Sequence, residues 1–414
     1  MKLLTVDTIE EARKKLLDCT AHWELPVENL ELSLALGWIL GQDIISPEDI
    51  PGFRRSAVDG YAVNAADTAG AGESVPVFLK LIGSVEMGKA SAFSLQRGEC
   101  AYVPTGGMIP EGADAMVMVE YCETFGNEIA IHESTAVGSY IVRIDEDAKK
   151  GDILLGRGTK IRSQETGALA AAGFTEVPVF VPFRMSIISS GDELVSVSEK
   201  PRPGEVRDIN THILSALAEE SGYHITETRT IRDDGAALEG AVRNAMRSND
   251  VVVLSGGSSQ GTKDMTSQVI SRVSKPGVFT HGLAIKPGKP TILGYDRETD
   301  TLIVGLPGHP VSALIVFRVL LSWLARQLRC EKEPFAFPAK ISCNIASSPG
   351  RTTYQPVSLR SCDGGYLADP IFGKSGMITT LTKSDGYIII DLNKEGLKEG
   401  EAVQVFLWSN YGEA

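Results

Sequence analysis

Residues 250–264 read Asp-Val-Val-Val-Leu-Ser-Gly-Gly-Ser-Ser-Gln-Gly-Thr-Lys-Asp, and this stretch decides the fold class. The apolar run from Asp250 to Leu254 predicts a buried strand, and the glycines and hydroxyls from Ser255 to Asp264 predict a tight loop. A helical pattern follows from Met265 to Val273. A strand, a glycine-rich loop and a helix in this order are typical of one unit of an α/β sheet.

The same order recurs on both sides of this stretch, over residues 183–330. Further strands are predicted at residues 185–188, 226–231 and 301–304, and further helices at residues 211–221, 236–247 and 310–328. This alternation predicts a doubly wound, mostly parallel sheet with helices on both faces. Ligands of such sheets bind beyond the C-terminal ends of the strands, so the loops there are the first candidates for a site.

Three of these loops are rich in glycine and hydroxyl side chains: Ser189–Glu193, Ser255–Asp264 and Gly305–Pro310. Glycines let backbone amides approach an anion, and helix N-termini add positive potential. Any one of the loops is explained as a connecting turn, but three at one sheet edge favour a phosphate-bearing ligand. None of them has the glycine spacing of a P-loop or of a dinucleotide-binding turn, so neither class of protein is indicated.

The residues outside this α/β segment predict a multidomain α/β plus β fold. Short β-branched and aromatic runs separated by turns indicate small β-rich domains on both sides. Helical patterns at residues 9–19, 30–40 and 165–172 flank the first of them, so the chain is expected to leave one domain and return to it. The predicted domains are a discontinuous helical and β domain (residues 1–50 and 147–180), an inserted β-rich domain (51–146), the α/β domain (181–330) and a C-terminal β-barrel (331–414).

Composition excludes several classes of function. The 414 residues carry a formal net charge of −13, which argues against broad binding to nucleic acid or an anionic membrane. No apolar run is expected to reach the about 20 residues that span a bilayer, and the N-terminus does not resemble a signal peptide. The six cysteines are scattered without a CxxC pair, which favours free thiols and a cytoplasmic location.

The segment Ala284–Pro290 places Lys286 and Lys289 on either side of a Pro-Gly turn. Prolines stiffen the backbone, and lysines supply point charges suited to phosphate or another oxyanion. A solvated surface turn is the alternative, and the position of the segment between the glycine loops favours the anion site.

Carboxylates follow two of the predicted strands. Asp234 comes after the strand that ends at Ile231, and Asp264 closes the loop after Leu254. Together they could hold Mg²⁺, which prefers oxygen ligands and often bridges to a substrate phosphate. The alternative is that each caps the helix that follows it, and the two roles are compatible. Glu193 is either a further ligand or a turn residue.

Four further loops combine charges, hydroxyls and glycines: Arg54–Ala62, Tyr102–Gly107, Pro349–Arg351 and Gly373–Gly376. Spacing alone does not distinguish a binding role from ordinary turn chemistry in any of them.

Taken in order along the chain, these motifs resemble the MoeA-type molybdopterin molybdenumtransferases, which are related to the E domain of gephyrin. The resemblance spans nearly the whole chain. The segments that carry it are 51–62, 105–107, 110–115, 190–194, 232–234, 255–264, 285–290 and 305–308. No single segment is specific to this family, whereas the occurrence of so many of them in the same order is.

The resemblance implies a fold and a reaction. The implied fold is the one predicted above, with an α/β domain of the molybdopterin-binding type. The implied assembly is an elongated homodimer whose active site is completed by the partner chain. The implied reaction binds adenylylated molybdopterin, Mg²⁺ and molybdate, cleaves the pyrophosphate link, releases AMP and joins molybdenum to the dithiolene. A molybdopterin adenylyltransferase and apo-molybdoenzymes are the implied partner proteins.

The resemblance also implies roles for individual residues, first for those at the cleaved nucleotide. Asp234 and Asp264 match acidic positions associated with Mg²⁺ and catalysis, and Lys286 is expected to contact phosphate. The positions around the molybdate pocket are Ser259, Lys289, Arg351 and Ser375. Further positions that line the cleft are Asp59, Thr105, Asp147 and Glu193.

Three departures from the family pattern bear on substrate detail. Residues 143–147 read Arg-Ile-Asp-Glu-Asp, where members usually have Arg-Arg-Gly-Glu-Asp. His309 stands where the usual motif has Asn, which places a titratable ring near the pocket, and Ser258 replaces a small apolar residue. The alternatives left open are a tungstate-selective paralogue, a scaffold that binds molybdopterin without chemistry, and a molybdopterin adenylyltransferase.

Overall fold

The computed structural model describes residues 6–256 and 263–408, and it describes only the backbone of Lys263 and Asp264. Its central sheet has six strands. In spatial order they are Tyr223–Ile231, Phe183–Ser190, Val251–Gly256, Thr301–Leu306, Ile292–Asp296 and Pro276–His281. The first four are parallel to one another, and Ile292–Asp296 runs antiparallel to both of its neighbours, so the predicted fold class is confirmed.

Helices cover both faces of this sheet because its strands are apolar on both sides. Val251 and Val253 face the helices Asn210–Glu220 and Pro310–Phe317. Val252 and Leu254, which alternate with them, face the helices Gly235–Met246 and Lys263–Val273. The periodicity of two along one strand therefore divides the α/β core into two layers.

The N-terminal helix Ile9–Thr20 packs on the first of these faces. Ile9, Ala12 and Leu16 are buried in the same cluster as the sheet residue Leu293. Thr8 and Glu11 form the reciprocal hydrogen bonds of a capping box, which fixes where the helix begins.

The prediction of a helix at residues 30–40 is wrong. Residues Val27–Glu31 form a strand that pairs antiparallel with Glu176–Phe180, and a single 3₁₀ turn follows at Leu32–Leu34. The apolar residues of this stretch suit either period, and the distant strand decides between them because it supplies the missing backbone partners. The helix expected at 165–172 is present as Ser163–Ala171.

The residues between these flanking segments contain a second sheet. Its strands in spatial order are Ala115–Met118, Gly60–Val63, Glu99–Val103, Val77–Ser84, Glu128–Ile131 and Cys122–Phe125. Entry and exit of the chain lie side by side, since Arg55–Ser56 pairs with Ile141–Val142. The flanks also pair with each other, as Ile44–Ile45 does with Ile153–Leu155. The residue boundaries of the four domains stay a prediction.

The C-terminal strands form a closed barrel of five strands. Around the barrel they are Thr352–Cys362, Gly365–Pro370, Phe337–Ile341, Ala402–Leu407 and Gly386–Ile390, which returns to the first. One more strand, Ile285–Lys286, joins from the α/β part and pairs parallel with Thr352 and Thr353. Shorter elements are the strand pairs Ile345–Ala346 with Gly396–Leu397 and Leu194–Val195 with Val206–Arg207, and the helix Thr379–Thr382.

One helical stretch among the described residues, Pro310–Leu328, is long and apolar enough to cross a membrane by length and composition. It consists of the helix Pro310–Phe317, a π-helical turn at Arg318–Ser322 and the helix Trp323–Leu328. Burial within the fold covers 67% of its apolar window. The stretch contains Arg318 and Arg326 and is therefore not an uninterrupted apolar run of the length that spans a bilayer.

We expect Phe317→Ala to lower the free energy of unfolding by about 3–5 kcal/mol, because truncation leaves a cavity in a packed core. Phe317 is 0% exposed and lies edge-on to Tyr223. Phe335→Ala is the matched control, since Phe335 is 79% exposed and its loss should change stability by no more than about 0.5 kcal/mol. Chemical denaturation of the two variants measures both values, and equal losses would contradict the assignment of the core.

Candidate functional site

A cavity of about 450 Å³ lies where the α/β part meets the C-terminal barrel. Residues 285–290 and the turn before the helix Pro310–Phe317 form one wall. The barrel strand that begins at Thr352 and the loop 371–375 form the other. The cavity therefore exists because the α/β part and the barrel contact each other here, and we call this contact region the seam.

The charge of this cavity is opposite to that of the chain. Four cationic side chains line it: Lys286, Lys289, Arg351 and Lys374. No carboxylate lines it, and within the described residues none of the four cations makes an ion pair. A protein of net charge −13 therefore concentrates uncompensated positive charge in one place, which suits an oxyanion.

Backbone geometry holds the two lysines on either side of their turn. The amide of Leu283 donates to the carbonyl oxygen of Lys289 over 2.9 Å, which closes the loop. Gly288 has φ +112°, and a Cβ there would lie 2.5 Å from Cγ2 of Val316. Only glycine fits this close approach to the helix, so the turn keeps both lysines exposed at the cavity.

His309 and Ser375 connect the two walls. The Nδ1 atom of His309 lies 2.8 Å from the Oγ atom of Ser375. The amide of Val311 donates to the carbonyl oxygen of Ser375 over 3.2 Å. Val311 belongs to the first turn of its helix and also lines the cavity, so the positive end of the helix dipole faces the same space.

The strand ends that lead into the glycine-rich loops share one edge of the sheet, as predicted. Ser190 is level with Ile231 on one side and with Gly256 on the other, and Ser255 is level with Leu306. A Cβ on Gly256 would lie 2.0 Å from the carbonyl oxygen of Ser190, so this close strand end requires glycine.

Buried polar side chains that the sequence analysis missed hold this edge together. Asn210 is 8% exposed and donates from Nδ2 to Oγ of Ser255 over 2.8 Å and to the carbonyl oxygen of Gly308 over 2.7 Å. Asp208, also buried, accepts from Ser189 and Thr211. The only sequence signal was an Asp-x-Asn-Thr run just before a helix, which is easily taken for a cap.

Asp234 has the capping role that the sequence offered as an alternative. Its Oδ1 accepts from the amides of Ala236 and Ala237 over 2.8 and 3.0 Å. The Ala237 amide, followed by that of Ala236, lowers the pKa of this carboxyl. Because both bonds use one oxygen, the cap leaves Oδ2 for another ligand, and the metal-binding alternative stays a prediction.

The neighbouring carboxylates favour a cation at this edge. Burial raises the pKa of Asp233, a hydrogen bond with the Ser190 side chain opposes this rise, and the negative charges of Asp192 and Glu193 add to it. The Oδ1 atom of Asp233 is buried and has no hydrogen-bond partner among the described residues. Such an oxygen is expensive to ionise unless a cation compensates it, so the donor set fits Mg²⁺.

No cluster of three or more metal-binding side chains occurs among the described residues. Mg²⁺ usually binds a protein through one or two carboxylates and takes its other ligands from water and phosphate, so a smaller set suffices. Two predicted site residues lie outside what the structure describes: Ser259 altogether, and Asp264 in its side chain.

The remaining predicted residues lie apart from the cavity. Asp59 accepts at Oδ1 from the amide of Thr105 over 2.8 Å, so these two are brought together in the inserted sheet region. The amide of Asp147 donates to the carbonyl oxygen of Ile50 near the return from the insertion. None of the three lines the cavity, and neither does Glu193.

The four predicted residues that do line the cavity are Lys286, Lys289, Arg351 and Ser375. Lys374 joins them without having been selected as a site residue, although its loop was noted for a cation and a hydroxyl.

Comparison with known proteins covers the same parts of the chain. Residues 7–173 match the model of the MoeA N-terminal region (domain I and II). Residues 186–326 match the probable molybdopterin binding domain, and residues 338–408 match the MoeA C-terminal region (domain IV). Three matches in this order cover nearly the whole chain.

Individual relatives agree with these matches. A putative molybdopterin biosynthesis protein of Methanocaldococcus jannaschii is 31% identical over 390 residues, 92% of each chain. The molybdopterin molybdenumtransferase of Haemophilus influenzae is 31% identical over 405 residues, 96% of this chain and 98% of its own. A solved structure of the moeA protein of Pyrococcus horikoshii has a TM-score of 0.79 at 35% identity and covers 98% of this chain and 100% of its own.

Fold and relatives together define an enzyme of the transferase class that processes molybdopterin. More narrowly, the chain belongs to the MoeA family of molybdopterin molybdenumtransferases. Its activity therefore lies in molybdenum cofactor biosynthesis.

We expect Asn210→Ala to lower the free energy of unfolding by about 1–3 kcal/mol, because the hydroxyl of Ser255 and the carbonyl of Gly308 lose a buried partner. A double-mutant cycle with Ser255→Ala should give a coupling of at least about 0.5 kcal/mol. Asn393→Ala, at an exposed position, is the control. Additive losses from Asn210 and Ser255 would mean that this bond does not hold the sheet edge.

Proposed function

We propose that this chain catalyses the Mg²⁺-dependent insertion of molybdate into adenylylated molybdopterin, with release of AMP. The observation that carries the proposal is the cavity whose lining, among the residues that the structure describes, has four cations and no carboxylate. A tetrahedral dianion needs several charge-assisted donors at once, and few surfaces of so acidic a protein offer them.

Within this proposal, different cavity residues bind the two anionic groups, molybdate and the substrate phosphate. Lys289, Arg351 and Ser375 would bind molybdate, because they supply a point charge, a planar fork of donors and a hydroxyl from both walls. Lys286 would contact a substrate phosphate. Its strand pairing with Thr353 fixes the backbone from which the side chain extends.

The acidic sheet edge supplies the other half of the site. Asp234 and Asp264 would hold Mg²⁺, and the half-buried Asp233, whose Oδ1 has no hydrogen-bond partner among the described residues, lies next to Asp234 in the chain. Bound Mg²⁺ would neutralise charge that develops on the scissile phosphate. In this arrangement the carboxylates that would bind Mg²⁺ lie at the sheet edge, and the basic side chains that would bind molybdate line the cavity.

Asp59, Thr105 and Asp147 belong to the proposal as groups supplied across a homodimer interface. They do not line the cavity of their own chain, and the family resemblance implies a site completed by the partner chain. Transfer of substrate from an adenylyltransferase and of product to apo-molybdoenzymes belongs to the same proposal.

The proposal predicts AMP release that needs molybdate. Purified protein is mixed with adenylylated molybdopterin, Mg²⁺ and molybdate, and AMP and the metal-bound cofactor are measured together. Asp264→Ala should abolish AMP release. Substrate binding without AMP release would support the scaffold alternative, and a response to tungstate alone would support the tungstate-selective one. Formation of the adenylylated compound from ATP would instead indicate an adenylyltransferase.

We expect Lys289→Met and Arg351→Met each to weaken oxyanion binding about tenfold to a hundredfold, because each removes a charged donor. Calorimetric titration with molybdate or tungstate measures this directly. Lys340→Met and Arg360→Met are the matched controls, since both residues lie on barrel strands and neither lines the cavity. Equal effects in test and control variants would count against the cavity as the oxyanion site.

A further inference from the structure

His309 is a feature of this chain for which the resemblance gives no role. The usual motif has Asn at this position, and the histidine here precedes the helix Pro310–Phe317 without capping it through its side chain. It lines the oxyanion cavity. The ring therefore adds a group that can gain a proton to a site whose other basic side chains are three lysines and one arginine.

One hydrogen bond and one neighbouring residue place the ring of His309, which is itself exposed. Nδ1 is 2.8 Å from Oγ of Ser375, and the backbone bond from Val311 to Ser375 holds that residue against the helix. Gly376 lies beside the ring, since a Cβ there would be 3.7 Å from Cδ2 of His309. The imidazole is thus held at the seam between the two walls.

The direction of the hydrogen bond between His309 and Ser375 determines whether the Ser375 hydroxyl can donate its proton to an anion. A hydroxyl has one proton. If Nδ1 accepts that proton, Ser375 turns only lone pairs towards the cavity, which repel an oxyanion. If Nδ1 carries a hydrogen and donates it, the serine proton is free to reach the anion. Protonation of the ring enforces the second arrangement because both nitrogens then donate.

The surrounding charges connect protonation of the ring to anion binding. The titratable and charged groups that line the cavity with it are Lys286, Lys289, Arg351, Lys374 and Tyr354. Burial raises the pKa of Tyr354, so its hydroxyl stays neutral. Because the described lining has four cations and no carboxylate, a fifth positive charge is unfavourable without an anion and favourable once a dianion is bound.

We propose that His309 is a positioning residue that orients the Ser375 hydroxyl towards the bound oxyanion and takes up a proton as the dianion binds. This inference rests on the proposed function, because it takes the cavity to be the oxyanion site. Because proton uptake and dianion binding then favour each other, the oxyanion affinity of this chain is higher at lower pH, whereas an asparagine at the same position would give a flat profile.

The experiment measures dianion binding to the full chain at about pH 6 and about pH 8, with molybdate and, separately, with sulfate as the probe. We expect wild-type protein to bind each probe about three- to tenfold more tightly at the lower pH. His309→Asn keeps a donor to Ser375 but cannot change its charge, so its affinity should be the same at both values. Calorimetry in two buffers of different ionisation enthalpy should show proton uptake in wild type and none in the variant.

The matched control is His224→Asn, the same substitution at an exposed position. His224 lies at the start of the strand Tyr223–Ile231, and the variant should keep the wild-type dependence of binding on pH. A wild-type profile that persists in His309→Asn would overturn this inference and leave the proposed function intact. Absence of molybdate and sulfate binding to wild type at both pH values would instead overturn the oxyanion site itself. Ser375→Ala should weaken binding at both values, because it removes the donor that the ring orients.

Discussion

The candidate site depends on one short backbone pairing, in which Ile285 and Lys286 lie parallel to Thr352 and Thr353. This ladder joins the α/β part to the C-terminal barrel. It brings the lysine turn next to Arg351, which is distant in sequence, and the link between His309 and Ser375 closes the other side. Without these two connections the cations would lie on separate solvated surfaces, where their charges would be screened.

Separation of charge is the second organising feature. Carboxylates gather at the end of the parallel strands, where Asp233 has a raised pKa, while the seam with the barrel collects cations. The carboxylates follow the strands Phe183–Ser190 and Tyr223–Ile231, whereas the cations come from residues 286–289 and from the C-terminal part of the chain. A protein of net charge −13 therefore has one region of uncompensated positive charge, which suits an oxyanion.

Several side chains serve the fold and the site at once. Asp234 caps a helix with one oxygen and leaves the other for a ligand, so the structural and the chemical interpretation do not compete. Asn210 ties the strand end at Ser255 to the loop at Gly308. Gly256 allows two strand ends to approach closely. Removing such a residue changes stability and site geometry together, which is why the tests above rely on matched variants and binding measurements.

Local periodicity and turn chemistry are enough to predict the alternation of strands and helices and the common edge at which the strands end. They also predict that Lys286 and Lys289 lie on either side of one turn. Only the tertiary structure decided that Arg351 and Ser375 lie in one cavity with those lysines, while Asp59 and Thr105 contact each other elsewhere. It also turned an expected helix near residue 30 into the strand Val27–Glu31. The physical reason is the same in each case: a local pattern shows which face of a segment is buried, whereas the partner that buries it comes from a distant part of the chain.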